Sequence, residues 1–119
     1  MTITKKNRAI VFERDDYACV ACGTENDLTI HHRVNRGSGG SKLFNGFAYL
    51  LTACAYCNGQ WESNPVYATS ARIQGYKLSR NAKPAIDPTA VPVRYYKFAA
   101  WFLLDQQGNK TETEKEHYE

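Results

Sequence analysis

Leu28-Thr29-Ile30-His31-His32-Arg33-Val34 lies between Cys19-Val20-Ala21-Cys22 and Cys54-Ala55-Tyr56-Cys57, and the reading of these three stretches decides the fold. The two cysteine pairs share one spacing, Cys-x-x-Cys, and account for all four cysteines of the chain. Two such knuckles supply the donor set of a closed, tetrahedral structural zinc site. The middle stretch is rich in β-branched residues and reads as a strand. Leu50-Leu51-Thr52-Ala53 reads as a second short strand that runs into Cys54. A Zn²⁺ ion held by both knuckles staples the histidine strand beside the segment that follows Cys57. Function is expected in that gap.

The bulk numbers agree with one small, zinc-stapled domain. The chain has 119 residues and is 43% hydrophobic, enough for one modest core. No apolar run is long enough to cross a bilayer, and the residues after Met1 form no signal-peptide core. The expectation is a cytoplasmic protein whose thiols stay reduced, where paired cysteines favour metal over disulfides. A thioredoxin-like redox role suits one Cys-x-x-Cys better than two. The formal charge is +3, mildly basic, with Lys5, Lys6 and Arg8 near the start and Arg33, Arg36 and Lys42 in residues 33–42. Thr111 to Glu119 carries four glutamates against one lysine and reads as a solvated, mobile tail.

Asn7 is placed to cap a helix over 8–15, which Asp15-Asp16 breaks. Residues 35–46 hold four glycines and read as a loop. A helix is expected from Asn58 to Ser63, continuing past Pro65 or restarting there, with Gly75 as its end. Residues 81–92, with Pro84, Pro88 and Pro92, read as an extended connector. Strands are expected over 91–96 and 98–104, with a turn at 106–109. The organisation is therefore a domain over 1–80, a β extension over 81–110 packed on it, and an acidic tail over 111–119.

Side chains alternate along a strand, so His31 and His32 point to opposite faces unless one is twisted out. The plain alternative is one core histidine and one exposed histidine. Asn58 and Glu62 lie four residues apart and share one side of a helix. An imidazole beside that polar pair makes a second metal site, although such a pair alone reads as a solvated face. The oxygen donors favour Mg²⁺ or Mn²⁺ over softer metals.

The order Cys-x-x-Cys-Gly, apolar strand, His31-His32-Arg33, Gly37-Ser38-Gly39-Gly40, Leu50-Leu51-Thr52-Ala53-Cys54-x-x-Cys57 and a polar helix resembles the HNH endonucleases. It is most similar to small HNH proteins of tailed bacteriophages, which Trp61-Glu62-Ser63, Gly75-Tyr76, Pro92-Val93 and Leu103-Leu104-Asp105-Gln106-Gln107-Gly108 also echo. The resemblance covers residues 8–63 well and 75–108 loosely. It implies an α+β fold: a ββα-metal (HNH, or His-Me finger) core stapled by the four-cysteine zinc site, with a small C-terminal β extension.

By the same resemblance His32 is the general base, and His31, Asn58 and Glu62 hold a catalytic divalent cation. The family's central asparagine falls at Tyr49 by counting back from Cys54. Asn45 stands in its place if the loop folds differently. The substrate implied is DNA, with Arg33, Arg36 and Lys42 on its phosphates. A phage origin and an association with terminase subunits in genome packaging are implied as well. The rival readings are a zinc-stapled nucleic-acid-binding module with a degenerate site and an interaction adaptor using the strands of 91–105.

Overall fold

The computed structural model describes residues 3–34 and 45–114. Helix α1, Lys5–Arg14, starts three residues earlier than expected because the Thr4 hydroxyl, not Asn7, caps it, accepting a hydrogen bond from the Asn7 N–H at 3.1 Å. The chain then reverses through Asp16 and Tyr17, both at positive φ, into the first knuckle. Strand β1, Leu28–His32, pairs antiparallel with β2, Leu50–Cys54, with His31 opposite Leu51 and His32 opposite Leu50. A 3-10 turn at Phe47–Tyr49 leads into β2.

Helix α2, Ala55–Ser63, begins inside the second knuckle rather than at Asn58. Cys54 is its cap, with Sγ accepting from the Cys57 N–H at 3.4 Å. The helix stops at Asn64, whose side chain caps α3, Pro65–Ile73; Pro65 takes the first turn, where its missing N–H costs nothing. Gly75 follows at φ +85°, packed so closely that a Cβ would lie 2.0 Å from the Pro92 carbonyl oxygen. The connector contains a 3-10 turn at Pro88–Ala90.

Strands β3 (Val93–Tyr95), β4 (Ala100–Leu104) and β5 (Lys110–Thr113) form a second antiparallel sheet in that order. Strand β5 falls where the acidic tail was expected to begin. Thr111 and Leu103 are opposite each other, and the Asp105 carboxylate closes the intervening turn on the N–H groups of Gln107 and Asn109. The fold is α+β, with three α-helices and two small sheets among the described residues.

Strand alternation divides the core. Ile30 and Leu50 pack with Val11 of α1 on one face of the first sheet. Leu51 and Ala53 face the other way, into a larger core with Trp61, Tyr76, Tyr95, Phe102 and Leu104. Two polar clasps tie these layers. Arg14 pairs with Asp15 at 2.8 Å inside the protein and donates to the carbonyls of Phe47 and Leu50, while Asp15 accepts from the Thr52 N–H and the Tyr95 hydroxyl.

The second clasp corrects a reading of the sequence. Arg33, expected on DNA phosphates, is 1% exposed. Its guanidinium donates to the carbonyls of Gly75 (2.9 Å), Ala48 (2.8 Å), Pro88 (2.9 Å) and Val91 (3.1 Å). A planar fork of five donors suits this better than any other side chain. Burial pushes its pKa down to about 9, so the group keeps its charge at neutrality, surrounded by carbonyl dipoles. Arg33→Ala leaves four carbonyls unpaired in the interior. A loss of about 3–5 kcal/mol is expected in urea unfolding, and Arg33→Lys should recover little of it. A wild-type midpoint for Arg33→Ala would contradict this account.

Candidate functional site

The first element of the site is the cysteine cluster. The knuckle turn is closed by the Gly23 N–H on the Cys19 carbonyl at 2.8 Å, and Gly23 sits at φ +79° against Tyr96. Val20 between the cysteines donates to Thr52 and accepts from the Tyr96 N–H and the Tyr76 hydroxyl, so both sheets meet at the knuckle. The sulfurs of Cys19, Cys22, Cys54 and Cys57 all lie within 4.8 Å of one another, and all four are free thiols. Cys22 and Cys54 sulfurs are 3.8 Å apart, the separation of two ligands on a tetrahedral ion with metal–sulfur bonds of about 2.3 Å.

The electrostatics lead to the same conclusion. Burial pushes the Cys19 and Cys57 thiols up, and for Cys57 the neighbouring sulfur of Cys19 adds to the effect. Cys54 is lowered: burial opposes its ionisation, but hydrogen bonds from Cys57, Cys22 and Cys19 outweigh it. Four thiolates cannot crowd together unless a cation compensates them. The cluster is placed to hold a metal ion such as zinc in a structural role.

The second element lies at the other end of the first sheet. His31 is 3% exposed, on the face that meets α2. Its Nε2 is 2.6 Å from the Tyr76 carbonyl oxygen, which only accepts, so Nε2 carries the proton. Its Nδ1 is 3.0 Å from Asn58 Oδ1. Trp61 meets the ring edge-on at 4.7 Å and stacks on Tyr76 at 4.9 Å. Burial pushes the His31 pKa down to about 4, so the ring is neutral at pH 7 with a lone pair on Nδ1. A lone pair and an amide oxygen then face each other with no proton between them. A cation satisfies both, and so does an amide rotated to donate its NH2.

Glu62, one turn beyond Asn58, raises the His31 pKa and lies 3.9 Å from the Lys77 ammonium, which also donates to the Trp61 carbonyl at 3.3 Å. His32 is half-buried on the opposite face, with Nε2 at 3.1 Å from Asn45 Oδ1. Of the two alternatives for the central position, Asn45 makes a hydrogen-bond contact with the His32 ring. Tyr49 anchors the strand through its main chain, accepting from the Arg33 N–H at 2.7 Å and donating to Gly46 at 2.9 Å.

The structure thus joins His31 to Asn58, pairs Glu62 with Lys77 nearby, sets His32 beside Asn45, and withdraws Arg33 into the core. Arg36 and Lys42 lie outside the described residues. Three contributors were missed from sequence: Trp61, Lys77, and Tyr76, whose main chain fixes the proton of His31. The only signal for the last is the Gly75-Tyr76 pair, which marks a turn without saying what it approaches.

Comparison with protein-family models, curated proteins and solved structures finds no match. No helix among the described residues is long and apolar enough to cross a membrane.

Metal analysis of the purified protein should find about one zinc-like ion per chain, released by a thiol-reactive mercurial. An apparent contribution of ~10–16 kcal/mol from a structural zinc matches or exceeds the ~5–15 kcal/mol of a whole domain. Release, or Cys54→Ser, should therefore abolish the near-UV circular dichroism. Stoichiometric disulfides in place of metal would contradict the assignment.

Proposed function

We propose that this chain is a metal-dependent endonuclease that hydrolyses DNA phosphodiester bonds, with a ββα-metal core of β1, β2 and α2. The observation that carries the reading is the His31 Nδ1–Asn58 Oδ1 pair at 3.0 Å, two electron-pair donors converging on one face of β1, with His32 held by Asn45 on the other. The donor set fits a hard divalent cation with one nitrogen and otherwise oxygen ligands: His31, Asn58 and Glu62 would hold Mg²⁺ or Mn²⁺. When bound, that ion supplies charge stabilisation for the pentavalent phosphate and the leaving oxygen.

The rest falls to the chain's own groups. Asn45 Oδ1 accepts the Nε2 proton of His32 and leaves Nδ1 as its basic atom. That nitrogen takes a proton from the attacking water, the usual task of a positioned imidazole. The Tyr76 carbonyl keeps the His31 proton on Nε2, so the Nδ1 lone pair stays turned towards Asn58. The Trp61 ring shields His31 from bulk water. A phage origin and work alongside terminase subunits are further parts of this reading and rest on the motif resemblance alone.

The second reading is a nucleic-acid-binding module with degenerate chemistry. The near-complete burial of His31 and the pairing of Glu62 with Lys77 favour it. Plasmid nicking separates the two. Wild-type protein should nick in Mg²⁺ or Mn²⁺ and be inhibited by excess Zn²⁺. His32→Ala should lower the rate about 10²–10⁴-fold with an unchanged melting temperature. A plasmid mobility shift without nicking in either metal would leave the binding module as the reading.

A further inference from the structure

Burial of Arg33 removes one of three cations expected on the substrate, and the structure supplies others. From residue 28 to residue 86 the chain holds seven lysines and arginines against one acid, Glu62; the other eleven acids lie outside that range. The histidine site is embedded in this basic stretch. Within it, the segment after Gly75 runs directly beside the site. The Tyr76 carbonyl accepts from His31, and the Leu78 N–H donates to the Arg33 carbonyl at 2.7 Å, so residues 76–78 lie along β1.

Lys77 turns inward, with its side chain 16% exposed and partly balanced by Glu62. Arg80 and Lys83 are exposed, as are Ser79 and Asn81. The sequence places no carboxylate between Glu62 and Asp87. An extended chain advances at most ~3.6 Å per residue, so Arg80 lies within about 7 Å of Leu78 and Lys83 within about 18 Å. The chain turns at residues 80–81 and bends at 83–84, so both cations stay close to the end of β1.

We infer that residues 77–83 form a phosphate-binding track for the backbone of duplex DNA, with Lys77 as its anchor and Arg80 and Lys83 as its contacts. The inference rests on the endonuclease reading for its choice of ligand. It places the substrate strand along the edge of β1, passing the His31–His32 pair. Contacts of this kind position the duplex and carry no base-sequence information.

The test is fluorescence anisotropy of a labelled 30-base-pair duplex with zinc-loaded full-length protein, without added Mg²⁺, over a series of NaCl concentrations. Removing one phosphate-binding cation should reduce the slope of log affinity against log salt by about 0.9. The double variant Arg80→Gln/Lys83→Gln should therefore flatten the slope by about 1.8 and keep the wild-type melting temperature. Lys5→Gln/Lys6→Gln removes the same charge from the exposed start of α1 and should leave the slope unchanged. Equal flattening by both, or by neither, overturns the track. Tighter binding of an RNA duplex with the same dependence overturns the choice of DNA. Binding is read without cleavage. Protein that binds through the track but never nicks overturns the hydrolase reading alone, and protein that nicks with an unaltered slope overturns the track alone.

Discussion

Four sulfur atoms that cannot ionise together without a cation set the terms for this protein. The cysteines come from the two ends of a long insertion, so an ion held by all four would also close that insertion. Cys54 belongs at once to the end of β2, the cap of α2 and the metal cluster. The direction of α2 is therefore fixed by the sulfur geometry, and α2 carries Asn58 to His31. Val20, held between Thr52, Tyr96 and Tyr76, extends the same constraint to the second sheet. The cysteine knuckle thus meets both the β1–β2 hairpin and the C-terminal strands.

Polar groups join the layers of this small core. Arg14 with Asp15, and Arg33 with four carbonyls, replace the apolar contacts that a larger domain would use for that purpose. Buried charges of this kind are costly to break because each leaves its partners unpaired. They also fix register: Arg33 can reach its carbonyls at 48, 75, 88 and 91 only when β1 has the alignment that directs His31 towards α2 and His32 away from it. The two histidines thus acquire separate environments from adjacent positions, one dry and neutral, the other half-buried beside Asn45.

Much of this was legible in the sequence, for reasons that are local. Cysteine spacing and β-branched runs are short-range signals, and the cysteine cluster, β1 and β2 follow from them, as does the meeting of Asn58 with His31 once α2 starts at the second knuckle. What could not be read depends on distant partners. Arg33 reads as a surface cation because nothing near it in sequence announces carbonyls from four later segments. Strand β5 was hidden in an acidic run, although Thr111 and Thr113 alternate with polar residues as an edge strand does. Thr4 displaced Asn7 as a cap because both residues are competent and only the packing of α1 on Leu50 and Ile30 decides between them.

The central claim is that His31 and Asn58 converge on a cation distinct from the one held by sulfur. Anomalous diffraction from crystals soaked in Mn²⁺, collected on both sides of the zinc edge, addresses it directly. Two peaks are expected, a zinc peak among Cys19, Cys22, Cys54 and Cys57 and a manganese peak within coordination distance of His31 Nδ1 and Asn58 Oδ1. A zinc peak alone, with the Asn58 amide nitrogen donating to His31, would contradict the claim.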